Sequence, residues 1–341
     1  MLATVLAGLA RYAAGVPRVV AFVLAALALA GDAWIVSSAT EQVGRRYGPA
    51  ITGLLQSTLG NLPEFFVVLF ALEAGQKIVA QTAILGSILV NALLVLGIVI
   101  VVGAGRERDR IMRFSSRLPN DTATLLLVSS FIIVLIGLVN SAHDSASRHD
   151  TTISIVGAAA LLIVYSVWMV QYLRGDQRPD AEDAASELRG PIATSMALLV
   201  LAGTASAFVS DWFVNALQPT IDALNISQSF AGLVIVAIAG NAVENAAGVA
   251  LAYKRRHELA ISVVKNSVAQ IAAFLFPLLV LVSLLTATTL TFALAPVYIG
   301  ALLGTAILIW QITGDGEATP FEGTALIAAF VILATVALFE P

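Results

Sequence analysis

Two stretches of this 341-residue chain set a carboxylate where hydrocarbon is expected. In GNLPEFFVVLF, residues 60–70, Glu64 stands inside a long apolar run. In GNAVENAAGVALA, residues 240–252, Glu244 does the same. A carboxylate is expensive at the centre of a bilayer when charged. Desolvation disfavours its ionised form, so an empty site holds protons. A divalent cation reverses that preference, so two such acids can exchange roughly two protons for one Ca2+, while their spacing neither fixes the stoichiometry nor excludes Na+ as counter-ion. The neighbouring groups are amides, hydroxyls and backbone carbonyls. Gly60 and Gly240 allow close helix contact or local unwinding, and Pro63 removes a backbone donor. Together these make an all-oxygen site, suited to hard cations that take 6–8 oxygens. Soft metals want sulfur or imidazole. The chain has no cysteine, and its three histidines fall near span edges.

The two stretches are copies. Gly60-Asn61-x-x-Glu64 matches Gly240-Asn241-x-x-Glu244 at an offset of 180 residues. A second polar cluster follows each glutamate. Gly86-Ser87 is followed by Asn91, and Asn266-Ser267 by Gln270, the serines keeping the same offset. Asn61 and Glu64 share a helix face, as do Asn241 and Glu244, Ser87 and Asn91, and Ser267 and Gln270. A weaker echo pairs Thr40-Glu41 with Ser210-Asp211.

The elements that must position these groups are membrane helices. The chain is 59% hydrophobic and 12% charged, with a mean hydropathy of +0.92. That is too little charge to cover a soluble surface. The apolar runs exceed the ~20 residues a spanning helix needs and lack strand alternation. The expected spans are 18–43, 49–75, 77–104, 119–141, 151–174, 191–218, 228–254, 257–285, 288–311 and 321–340. Residues 1–15 read as a short interfacial or partial helix, without the charged start of a secretion signal. The connections after spans 1, 3, 5 and 7 hold thirteen Arg and Lys, from Arg45 to Arg256, against four on the other side. That bias makes the first set cytoplasmic. The acidic linker with Asp180, Glu182, Asp183 and Glu187 divides the chain into residues 1–174, the linker 175–190, and residues 191–341. Five spans separate the matching helices, so the second copy is inverted. Inverted repeats with interrupted polar helices at matching places mark secondary transporters, with a site near the midplane. Glu64, about fifteen residues into its span or ~22 Å, is at a fitting depth.

Each polar residue also has a structural reading. A lone buried glutamate could simply tie helices together, but a duplicated GNxxE with a matched second cluster argues for function. Ser87, Asn91, Ser267 and Gln270 could be ligands or interhelical glue. Asp32 is a buried polar tie or part of an ion path. Glu41 and Asp211 read as interfacial charges, and His143, Asp144, His149 and Asp150 as a solvated loop. The acidic residues 180–187 read as a solvating linker.

At these residues the chain resembles the calcium/cation antiporter superfamily, and within it the calcium/proton exchangers. Members carry two repeats with a GNxxE signature, each followed by a GS-containing helix. Here these are GNLPEFFVVLFALEAGQ with LGSILVNALLVLG, and GNAVENAAGVALAYK with KNSVAQIAAFLFP. The resemblance spans nearly the whole chain. It implies Glu64 and Glu244 as ion ligands and proton carriers, and alternating access by sliding of spans 1 and 6. Three positions depart from the pattern. Asn245 stands where the proton exchangers usually have His, Asn266 where they usually have Gly, and Lys265 where an apolar residue is expected. Lys265 either snorkels to the cytoplasmic edge about eight residues away or sits as a tethered cation near the site. The first is favoured.

The reading is therefore an all-α integral membrane protein: about ten transmembrane helices plus a short N-terminal segment, in two inverted five-helix repeats. Its expected function is Ca2+ exchange for H+. The candidate site is Glu64, Glu244, Asn61, Asn241, Ser87, Asn91, Ser267, Gln270, Asn266, Gly60 and Gly240, with the two glutamates as metal ligands. No cofactor is expected beyond the transported ions, the partners are Ca2+, H+ and the lipid bilayer, and no basic patch suggests nucleic acid. A Na+/Ca2+ exchanger is the alternative in the same class. A channel or a membrane enzyme is the alternative in another class, but no nucleophile–base pair or HExxH motif stands at depth. Compact length and the lack of a transit peptide favour a prokaryotic inner membrane.

Overall fold

A computed structural model describes residues 2–13, 15–47, 59–115, 117–175 and 192–340. The acidic residues 180–187 therefore lie outside the described residues. Those described are almost wholly helical. Helix α1 is Leu2–Tyr12, α2 is Arg18–Tyr47 and α3 is Leu62–Glu73. Helix α4 is Lys77–Gly105, α5 is Arg117–Ser141, α6 is Asp150–Gly175 and α7 is Ile192–Leu224. Then come α8, Gln228–Gly240, and α9, Ala242–Tyr253. The last three are α10, His257–Leu285, α11, Pro296–Thr313, and α12, Pro320–Phe339.

Among the described residues, eight helices are long and apolar enough to cross a membrane. The pair α8 and α9, bent by 62°, makes a ninth. The remaining expected span, 49–75, is represented by α3, since residues 48–58 lie outside the described set. With its backbone satisfied inside helices, such a chain is built to span a bilayer.

The helices form two compact units. The first holds residues 1–70 and 163–224. Its centre is the antiparallel pair α2 and α7. Phe22 packs on Phe213 with ring centroids 4.7 Å apart, and Ser195 Oγ donates to Gln42 Oε1 at 2.8 Å. Val36 and Ala39 meet Leu199 and Ala202 between those points. Helix α1 is a short helix of 11 residues, as the sequence reading expects. It packs on this pair, and Gly8 lies directly against the Trp212 ring.

The second unit holds residues 71–162 and 225–341. The span order predicts that its connections alternate between two faces, and its contacts sort that way. On the arginine-rich face, β1 (Met112–Arg113) pairs antiparallel with β2 (Glu317–Ala318). There His257 Nε2 lies 2.9 Å from Glu107 Oε1, the Ser115 N–H donates to Glu258, and Arg106 lies over the Tyr253 ring. At the other face the Phe292 N–H donates to Ser154 Oγ, and Gln81 Nε2 donates to the Ala293 carbonyl.

Two glycines set a close helix crossing in the second unit. A Cβ on Gly86 would lie 2.6 Å from Leu233 Cα, and one on Gly232 would lie 2.9 Å from the Val79 carbonyl oxygen. Only the missing side chains let α4 and α8 approach this closely.

Candidate functional site

Both GN pairs fall at helix breaks. Gly60 and Asn61 form the turn before α3, and Asn241 forms the turn between α8 and α9 with φ −94 and ψ 15. The helix resumes identically in both repeats. The Phe65 N–H donates to the Asn61 carbonyl, and the Asn245 N–H to the Asn241 carbonyl, each at 3.0 Å. Glu64 is thus the third residue of α3 and Glu244 the third of α9. The amide dipoles at a helix N-terminus favour an anion there, by typically 0.3–1 kcal/mol. Pro63, the second residue of α3, starts a helix rather than interrupting one. A missing N–H is harmless at that position. Its carbonyl accepts from Ser210 Oγ on α7, at 3.5 Å.

In the first unit, Asn61 and Glu64 are buried. In the second unit, four predicted residues converge on one hydrogen-bonded cluster. Asn241 Nδ2 donates to Ser87 Oγ at 2.8 Å. Asn91 Nδ2 donates to Asn241 Oδ1 at 2.9 Å and to Ser267 Oγ at 3.0 Å. All four side chains are buried. The cluster draws on both sequence repeats, Ser87 and Asn91 from one and Asn241 and Ser267 from the other.

Several acceptors remain. Asn91 Oδ1, Glu244 Oε2, Asn266 Oδ1 and Asn245 Oδ1 are buried without a hydrogen-bond partner among the described residues. Buried polar atoms are ordinarily paired. Carboxylate and amide oxygens are the donor types that hard cations take. Glu244 and Asn266 are half-buried, as is Gln270, while Gly240 is buried and Gly60 half-buried. Among the described residues no three of His, Asp and Glu gather into a metal-holding group. His143 and Asp144 belong to an exposed turn in which Asp144 caps Ala146.

The model of the sodium/calcium exchanger protein family matches residues 18–173 and 194–339. The chain belongs to this family. The Ca(2+)/H(+) antiporter ChaA of Bacillus subtilis is 30% identical over 324 residues, covering 93% of this chain and 92% of that protein. A Ca(2+)/H(+) antiporter of Synechocystis is 28% identical over 340 residues, covering 94% and 91%. The solved structure of native YfkE matches with a TM-score of 0.81 at 25% identity, covering 99% of this chain and 96% of that one.

Two features of this family member escape its sequence. The first is a π-helical turn at Val90–Val95 in α4 and another at Ile271–Leu275 in α10. They start at Val90 and Ile271, within one residue of the 180-residue offset. Such turns recur at functional sites. Asn91 lies inside the first turn and Gln270 directly precedes the second. The second feature is Lys265. Its side chain does not snorkel: it is fully buried, and Nζ donates to Thr313 Oγ1 at 2.9 Å. Thr313, the last residue of α11, intercepts the ammonium short of water.

Proposed function

We propose that this chain is a Ca2+/H+ antiporter of the plasma membrane, working by alternating access, with Glu64 and Glu244 as cation ligands and proton carriers. The observation that carries the reading is the buried cluster of Ser87, Asn91, Asn241 and Ser267, in which Asn91 Oδ1 has no hydrogen-bond partner among the described residues. Asn61, Gln270 and Asn266 are assigned to the same cation-binding role, with Gly60 and Gly240 supplying the helix breaks. The Ca(2+)/H(+) antiport named for the bacterial relatives supports the choice of ions.

The chemistry follows from opposed electrostatic terms. Burial disfavours a bare carboxylate, whereas the first turn of a helix favours it. Neutralisation by H+ or by a cation satisfies both. Two glutamates so balanced accept Ca2+ when deprotonated and lose it when protonated, which couples the flows in opposite directions. The helices α2 and α7 are assigned to the movement. No bond-making step is needed, so the reading is transport and not catalysis.

The test is Ca2+ uptake into proteoliposomes with an imposed inside-acid gradient, with and without Na+. Wild type is compared with Glu64→Gln and Glu244→Gln. The proposal expects Na+-free uptake that collapses with a protonophore and in both variants. Uptake that requires a Na+ gradient overturns the counter-ion. Normal uptake by both variants overturns the glutamates' role.

A further inference from the structure

A third carboxyl stands apart from both GNxxE motifs. Asp32 lies midway along α2, fourteen residues after Arg18 and thirteen before Arg45, so about 20 Å from each. It is fully buried. Thr4 Oγ1 on α1 donates to its Oδ1 at 3.2 Å. Its Oδ2 is buried and has no hydrogen-bond partner among the described residues.

A cation that bears on Asp32 is the N-terminal amino group ahead of α1, which acts through its charge. The titratable and charged side chains on the elements packed against α2 are Arg11 and Tyr12 on α1, and Asp211 and Asp222 on α7. None is within ion-pair or hydrogen-bond reach of Asp32. Asp211 is engaged by Asn215 Nδ2 at 2.9 Å, and Asp222 by Gln218 Nε2 at 3.0 Å. The antiparallel register fixed by Phe22–Phe213 and Gln42–Ser195 brings Asp32 level with about residue 204. Close to that level, the buried Ser206 hydroxyl on α7 is also without a hydrogen-bond partner among the described residues.

A buried carboxylate with one neutral side-chain donor and no basic side chain paired to it is strongly disfavoured, and such a group neutralises instead. We infer that Asp32 is a proton-binding site of its own, carrying a proton on Oδ2 inside the α1, α2 and α7 group. On release the O–H bond breaks, the electron pair stays on Oδ2 and the proton passes to water. Neither glutamate is needed for this, and the inference does not depend on which ion exchanges for Ca2+.

Infrared spectroscopy of the full chain in lipid vesicles at neutral pH reads the acid directly. The expected result is a protonated-carboxyl C=O band that survives in Glu64→Gln and Glu244→Gln and is missing from Asp32→Asn. Thr4→Val keeps the acid but removes the donor to its carbonyl, so the same band moves to higher frequency. This second variant decides the matter even if Asp32→Asn does not fold. A spectrum unchanged in Asp32→Asn, or unmoved in Thr4→Val, overturns the assignment. Failure of the transport test leaves this result untouched, so the two readings fail separately.

Discussion

Gly86→Ala tests whether the α4–α8 crossing positions the polar cluster. The new Cβ would stand 2.6 Å from Leu233 Cα and 2.7 Å from its carbonyl carbon. Ordinary contact begins at 3.4 Å and the Leu233 carbonyl oxygen lies nearer still, so α8 must retreat by at least ~0.8 Å. Both neighbours are backbone, and no side-chain rotation relieves the clash. Asn241 sits at the end of α8 and moves with it. Its 2.8 Å bond to Ser87 then stretches to ~3.6 Å, beyond hydrogen-bond range. Overpacking costs about 1–3 kcal/mol, and orphaning a buried polar group costs a similar amount. A combined ~2–6 kcal/mol is a large share of a typical folding free energy. The assay is thermal unfolding in detergent followed by size exclusion, alongside Ca2+ uptake in vesicles. Gly304→Ala is the control, because nothing lies within 4 Å of its Cβ. It is expected to be neutral or slightly stabilising. If Gly86→Ala melts and transports like wild type, the close crossing does not hold Asn241 in place.

Three further outcomes are expected. Asn91→Leu leaves Asn241 Oδ1 and Ser267 Oγ without their donor; it should destabilise by about 1–3 kcal/mol and lower Ca2+ uptake more than tenfold, as read by melting and flux. Lys265→Met keeps the length and removes a buried ammonium with a single neutral partner, so the variant should melt higher than wild type, and a lower melting temperature would sink the argument. On the arginine-rich face, the hydrogen bond from His257 holds the Glu107 carboxyl below its ordinary value of 4.5. A depressed acid stabilises the fold above its unfolded value and loses that stabilisation as pH falls through the folded one. Amide exchange in residues 106–115 should therefore stay slow at pH 6 and quicken only in acid below pH 4.5, and Glu107→Gln should abolish that acid step.

What was legible in the sequence follows from periodicity and residue type. Apolar run lengths gave the helices. Counting spans placed the connections after spans 3, 7 and 9 on one face, and Arg113, Glu107, His257 and Glu317 meet there. The breaks at Gly60-Asn61 and Gly240-Asn241 were readable because glycine and asparagine are poor in helix interiors and asparagine suits turns. Lys265 was misread because periodicity assigns a face and a depth but not an interceptor. Nothing near residue 265 announces that Thr313, 48 positions away, ends its helix within reach of the ammonium. The packing of helix α1 was not legible for the same reason, since the Gly8–Trp212 contact joins distant parts of the chain.

The π turns explain a mismatch that the repeat alone leaves open. Under the 180-residue offset Ser87 aligns with Ser267, but Asn91 aligns with Ile271 and Gln270 with Val90. The polar amide has slipped by one position between the copies. In a regular α-helix such a slip rotates a side chain by about 100° and takes it off the face. A π turn inserts one extra residue per turn, which moves every later side chain by a similar angle. Asn91 lies within its turn and Gln270 just ahead of its own. Each amide thus stands on a different side of the point where the helix is rephased. The duplicated turn can keep a polar position beside each serine while the sequence around it drifts. Deleting a residue to restore regular pitch at Val90–Val95 should therefore detach Asn91 from Asn241 and Ser267, even with every side chain of the cluster still present.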